Sequence, residues 1–258
     1  SRRGPALAVG DVNGDKLDDF FVGSGGGSQG GSLFLQNAAG GFSEKSGPWK
    51  QANAPEQSGA VFFDADGDKD LDLYVCSGSN EYPEGSNQYL DRLFINDGKG
   101  GFSAAPAGMI PALKTPKNCV TAGDFDGDGD LDLFLGGACV PDRYPMPAPS
   151  YILRNNGNGF SEATAAMAAG IDKAGIVCDA RAHDLNGDGK TDLLLCGEWM
   201  PLQCWIQGTG SLSEQSSAMG LSNSSGWWNT ITAADLDGDG DLDFAIGNQG
   251  MNSQVRPT

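Results

Sequence analysis

The chain has 258 residues, of which 39% are apolar and 40 are glycine, and it carries a formal charge of −18 at pH 7. This much apolar material excludes a disordered chain, and the glycine content points to many tight turns instead of long helices. The acidity, with no basic stripe to meet phosphates, excludes nucleic acid as a partner, and no apolar run approaches the roughly 20 residues needed to span a bilayer.

The acids are concentrated in five copies of one nine-residue loop, recurring about every 50 to 60 residues as repeat architectures do. The copies run from Asp11 (DVNGDKLDD), Asp64 (DADGDKDLD), Asp124 (DFDGDGDLD), Asp184 (DLNGDGKTD) and Asp235 (DLDGDGDLD). Each places side-chain oxygens at its first, third, fifth and ninth positions. The candidate ligands are Asp11, Asn13, Asp15 and Asp19 in the first loop, and Asp64, Asp66, Asp68 and Asp72 in the second. Asp124, Asp126, Asp128 and Asp132 follow in the third, Asp184, Asn186, Asp188 and Asp192 in the fourth, and Asp235, Asp237, Asp239 and Asp243 in the fifth. Carboxylates this close repel one another unless a cation neutralises them, and hard oxygen donors suit Ca²⁺. About five Ca²⁺ are expected. An EF-hand is disfavoured because its glycine follows the fifth position and a Glu closes the loop at the twelfth; here Gly14, Gly67, Gly127, Gly187 and Gly238 precede the third acid. Dockerin-type loops lead into helices, whereas these lead into strands.

Around each loop the sequence keeps one grammar. A small or apolar lead-in (residues 6–10, 59–63, 119–123, 177–183 and 230–234) enters it, and an apolar strand (20–23, 71–76, 131–136, 192–196 and 242–247) leaves it. A second hairpin follows at 33–43, 93–103, 151–161 and, degraded, 204–213, with an Asn/Gly-rich turn and a returning Phe42, Phe102, Phe160 or Leu212. Two hairpins per period make one four-stranded propeller blade. The even repeat argues for a single domain over residues 1–258. Length varies chiefly in the connections 24–32, 77–91 and 137–150, which join second and third strands on the face opposite the loops. Insertions gathered on one face of a repeat array mark the face that makes contacts.

The six cysteines, Cys76, Cys119, Cys139, Cys178, Cys196 and Cys204, allow 15 connectivities. The sequential scheme, Cys76–Cys119, Cys139–Cys178 and Cys196–Cys204, staples successive blades and then crosses a hairpin. Its rival, Cys119–Cys139 with Cys178–Cys196, strands Cys76 and Cys204 two blades apart. Together with a glycosylation sequon at Asn223, they suit an oxidising, extracellular or cell-surface location. The chain opens with Ser1-Arg2-Arg3 and no signal-peptide pattern, so a secreted chain is expected to be mature or trimmed. His183, the one histidine, adjoins Asp184 and reads as a hairpin residue before a catalytic base. No nucleophile triad, phosphate loop or zinc motif accompanies it, and no enzymatic activity is expected. Trp199, Trp205, Trp227 and Trp228 cluster late, with Trp49 earlier. Most should pack between blades, but Trp227 and Trp228 on one strand cannot both point inward. One exposed tryptophan, with Tyr82, Arg143 and Tyr144 in the long connections, would suit a sugar ring.

Loop and blade grammar together resemble the FG-GAP/VCBS repeats of integrin alpha-chain propellers, and most of all secreted members similar to cartilage acidic protein. The nonapeptide with its FFVG exit and the Asn-x-Gly-x-Gly-Phe-Ser turn carry that resemblance over nearly the whole chain. It implies an all-β propeller of about seven blades, with a backbone carbonyl at loop position seven, from Leu17, Asp70, Asp130, Lys190 and Asp241, added to the ligand set. This chain holds four complete periods and a fifth loop, so it is expected to be a fragment of a larger ring or to finish its fifth blade differently. The expected function is a calcium-stabilised extracellular module that binds a protein or glycan. A structural subunit that self-assembles into a fibre or matrix is the alternative, and a polysaccharide-active enzyme comes third.

Overall fold

The computed structural model describes residues 5–25, 30–51 and 55–250; the chain end from 251, and part of the first long connection, lie outside them. The fold is all-β, built from four-stranded antiparallel blades. In the first, β1 (Leu7–Gly10), β2 (Asp19–Val22), β3 (Ser32–Gln36) and β4 (Phe42–Lys45) pair in chain order. The second repeats this with β5 (Gln57–Phe63), β6 (Asp72–Ser77), β7 (Arg92–Asn96) and β8 (Phe102–Ala104), and the third with β9 (Lys117–Gly123), β10 (Asp132–Gly137), β11 (Tyr151–Asn155) and β12 (Phe160–Glu162). A short helix, α1 (Thr164–Met167), leads on to the fourth blade: β13 (Ile176–His183), β14 (Asp192–Met200), β15 (Gln203–Gln207) and β16 (Leu212–Glu214). A fifth hairpin, β17 (Gly226–Ala234) and β18 (Asp243–Asn248), joins the fourth blade through β14. There β14 changes partners. Leu193, Leu194 and Leu195 pair with β15, whereas Glu198 and Met200 pair with Trp227 and Gly226.

Packing follows from the alternation of side chains along each strand. First strands of successive blades lie side by side, β1 with β5, β5 with β9, β9 with β13 and β13 with β17. An apolar layer fills each gap between blades: Phe21, Leu33 and Trp49 of blade one meet Leu73, Val75 and Phe94 of blade two. Tyr74, Cys76 and Leu93 then meet Leu133, Leu135 and Leu153, and Phe125, Phe134 and Ile152 meet Leu193, Leu195 and Trp205. Second strands flanked by a blade on each side are buried at every position, as in β6 and β10, whereas β2 alternates buried and half-buried residues. A strand covered on both faces is apolar between its ends, which is why Leu73–Cys76 and Leu133–Leu135 read as unbroken runs after the buried Asp72 and Asp132. Every acidic loop connects strands one and two, so all five emerge on the same side of the array.

Candidate functional site

Within each loop the acids are organised by backbone N–H groups. The first Asp accepts from positions four and six: Asp64 from Gly67 (2.8 Å) and Lys69 (3.0 Å), Asp124 from Gly127 (2.7 Å) and Gly129 (3.1 Å), Asp184 from Gly187 (2.8 Å) and Gly189 (2.7 Å). Position three accepts from the N–H of position five, and position five from that of seven, as in Asp126–Asp128 (3.2 Å) and Asp128–Asp130 (3.1 Å). These are successive Asx turns, and they draw the oxygens to the inside of the loop. The curl needs left-handed backbone twice. Glycine supplies it at position four, with φ of 82° at Gly67, but position six is also left-handed and is lysine in two loops, Lys16 (69°) and Lys69 (75°).

The ninth Asp does a second job. In every complete blade it is fully buried, and its two oxygens accept the N–H of loop position two and that of the last residue of the third strand. Asp19 takes Val12 and Gln36, Asp72 takes Ala65 and Asn96, Asp132 takes Phe125 and Asn155, and Asp192 takes Leu185 and Gln207, at 2.8–3.1 Å. Among the described residues Asp243 takes Leu236. The third-strand amide carries the contact onward: Asn96 Nδ2 donates to Val12 O of the previous blade (2.8 Å), and Asn155 Nδ2 to Ala65 O (3.1 Å). Sequence reasoning took position nine only as a ligand. The amide recurring at the end of each third strand was the signal for its bridging role.

Three loops bring carboxylate oxygens within 4.8 Å of one another: Asp64, Asp66 and Asp72; Asp124, Asp126 and Asp132; Asp235, Asp237 and Asp239. The other two loops have Asn13 and Asn186 at position three, where an amide oxygen stands in for a carboxylate. Burial, with the charges of Asp66 and Asp68 beside it, pushes Asp72 up to about 6 against the pull of its two N–H partners. Burial likewise takes Asp132 up to about 7 and raises Asp19 and Asp192. In two loops the first position goes the other way. Desolvation raises Asp11, but four backbone N–H groups outweigh it, and the Gly189 N–H leads those that hold Asp184 below the usual carboxylate range. An all-oxygen donor set with strained charge fits a hard divalent cation. In the third loop a cation is already supplied: Arg154 Nε lies 2.7 Å from Asp126 and its terminal nitrogen 3.1 Å from Asp128. The equivalent third-strand residues are Leu35, Ile95 and Ile206.

The opposite face is held differently. Lys117, at the start of β9, is fully buried against Asp91 (2.9 Å) and donates to Tyr89 O and Leu113 O, while Asp91 also accepts from Tyr74 Oη and Ser77 N, each at 2.9 Å. No sequence pattern pointed to this pair. The cysteine pairing expected from sequence is corrected here, since Cys76, Cys119, Cys139 and Cys204 are thiols, which leaves none of the three sequential links formed and no Cys119–Cys139 link. The layers explain it. Cys76 packs between blades two and three and Cys119 between three and four, so blades separate their side chains. Cys139 lies in a connection, whereas Cys178, Cys196 and Cys204 share the layer against the fifth hairpin. Burial pushes the Cys76 thiol up to about 12 and Cys204 to about 11, away from reactive thiolates.

Trp49, Trp205 and Trp228 pack between blades, and Trp227 turns outward against Trp199, ring centroids 4.8 Å apart. His183 sits 6.0 Å from the Phe244 ring with its pKa lowered by burial and Arg181, as befits a hairpin residue. Asn223 is exposed. Among the described residues no helix is long and apolar enough to cross a membrane.

A family model described as FG-GAP-like repeat matches residues 11–75, 77–135 and 184–246. Among solved structures, the chain is similar to the V. cholerae biofilm matrix protein Bap1 at a TM-score of 0.40 and 16% identity, over 94% of this chain. It spans 34% of that protein's chain. No curated protein matches it.

Proposed function

The chain belongs to the FG-GAP-like repeat family, and from that premise we propose that it is a calcium-stabilised extracellular binding or adhesion module, non-enzymatic, with its partners on the face opposite the acidic loops. The observation that carries this reading is the fivefold recurrence of one oxygen-lined loop. Ligands at positions one, three, five and nine, with the carbonyls of Leu17, Asp70, Asp130, Lys190 and Asp241, would hold about five Ca²⁺, each bracing the hairpin between strands one and two. Bound metal neutralises the loop carboxylates, and its binding free energy becomes folding free energy. The loops are therefore scaffold, and the variable connections are free to make contacts. Calorimetric titration of chelator-stripped protein tests the metal reading: several Ca²⁺ per chain are expected, and no heat of binding up to about 10 mM Ca²⁺, roughly tenfold beyond the weak end for extracellular sites, would sink it.

One observation favours a second reading, a matrix subunit that assembles through its ends. Positions that later blades wholly or partly cover against their predecessors are barer on blade one: Phe42 is 50% exposed where Phe160 is 7% and Phe102 is half-buried. Leu7, Val9 and Phe20 line the same bare face, while at the other end Leu236 is 69% exposed where Val12 is 1%. Further blades of the same ring, or a second copy set end to end, would cover both. Sedimentation velocity across a concentration series tests this, with a strictly monomeric chain as the contradicting result.

A further inference from the structure

A cleft of about 40 Å³ opens on the face away from the acidic loops, where blades two, three and four meet. Glu56, Ser79 and Asn80 line it from blade two, Asn118 and Tyr144 from blade three, and Glu198 from blade four. Its size admits one hydroxymethyl or ammonium group. At its mouth stand two half-exposed rings, Tyr144 (53%) and Trp199 (51%). Their polar tips are already tied down: Trp199 Nε1 donates to Tyr144 Oη at 2.6 Å, and that hydroxyl donates to Glu198 at 3.0 Å. Trp227 packs against the Trp199 ring, centroids 4.8 Å apart, so what remains on offer is the exposed half of each ring.

The backbone is strained in the same place. Among the described residues, five other than glycine have left-handed φ, and two of those are the loop lysines. The other three are Ser79 (81°) in the cleft wall, Asp142 (60°) two residues before Tyr144, and Trp199 (60°) itself. A tryptophan in this conformation is costly and persists where the surroundings impose it. Among the described residues the lining also holds two carboxylates and no lysine or arginine. Burial raises the Glu56 carboxyl against the pull of the Ser79 side chain and the N-terminal charge, and Glu81 adds to the rise; with two carboxyl groups in the lining, a hydrogen-bond donor is favoured there over an anion. Exposed aromatic faces beside carboxylate and amide groups match the alternating apolar faces and hydroxyl edges of a pyranose.

We propose that this cleft is a sugar-binding site, in which a neutral or amino-sugar residue stacks on Trp199 and Tyr144 and sets a hydroxyl or ammonium group among Glu56, Ser79, Asn80 and Glu198. It rests on the reading of this face as the binding face. The test is titration of the calcium-loaded chain with a β-glucose hexamer, a glucosamine hexamer, a heparin fragment and oligolysine, followed by calorimetry. Binding of either of the first two, with heparin inert, is the expected result. Trp199→Gly suits the left-handed backbone, so its melting temperature should equal or exceed that of the parent while sugar affinity falls at least tenfold; Tyr144→Phe keeps the ring and loses affinity less. Overturning results are binding of neither hexamer, binding of oligolysine alone, or undiminished sugar binding by Trp199→Gly. The melting temperatures of the same samples with and without calcium keep this failure distinct from failure of the scaffold reading.

Discussion

At the loop face, Asp19, Asp72, Asp132 and Asp192 each receive the same two backbone N–H groups, whereas at the opposite face the connections after β2, β6, β10 and β14 differ in length, and three of them share one backbone bond at their start, Gly23 to Ala6 O, Gly78 to Glu56 O and Ala138 to Pro116 O. One face repeats a single solution four times. The other solves each junction separately, with the Lys117–Asp91 pair between blades two and three and the Tyr144–Trp199–Glu198 network further round. Repeated geometry suits a part whose job is to hold successive blades in register. Unrepeated geometry suits contacts that differ from blade to blade.

Among substitutions the largest expected effect comes from the opposite face. Lys117→Met leaves Asp91 buried without its counter-ion and should cost about 3–5 kcal/mol in urea denaturation, with or without calcium; a calcium-dependent loss would blur the division between faces. On the loop face, Asp132→Ala strands the N–H groups of Phe125 and Asn155 and should cost about 3 kcal/mol in chelator. Asp243→Ala, with one such partner and more exposure, should cost clearly less. Equal losses would show that the double clasp contributes nothing of its own.

A smaller effect is the pH dependence of the metal-free protein. Asp72 and Asp132 titrate near 6 and 7 when folded but near 4 when unfolded. Folding thus favours their protonated forms. Stability from these groups is full below about pH 4 and is lost as pH rises through 6 to 7, while calcium affinity rises over the same window because the ligands must be ionised. Thermal melts in chelator from pH 4 to 8 should fall; a rise would contradict the buried-acid account. Smallest is Arg154→Ile, which gives the third loop the residue type of its neighbours. It should tighten calcium at one site by roughly threefold, in line with an exposed ion pair, and an unchanged calorimetric profile would show that Arg154 does not compete with the ion.

Much of this was legible in the sequence. Nonapeptide spacing and hairpin grammar located the strands because each residue type there answers to a local rule, either alternation or turn chemistry. The clasp of Asp132 on Asn155 was not legible, since the two residues meet only once three strands have paired, although the recurring Asn or Gln was in plain view. Lys117 and Asp91 show no pattern at all, because burial of an ion pair depends on two blades packing. The cysteine scheme failed for a related reason: distance along the chain says which blade carries a thiol, but not which inter-blade layer receives it. Trp227 and Trp228 were separated correctly by strand alternation, while the partner of the outward ring, Trp199, came from the bulge between Glu198 and Met200.

The central claim is that the five loops are a metal-held scaffold. Its most direct test is the melting temperature of the chain in millimolar calcium and in excess EDTA. At a hundredfold excess over Kd each site contributes about 2.7 kcal/mol, so five loaded sites predict a fall of roughly 20 °C or more on chelation. An unchanged melting temperature would contradict the account.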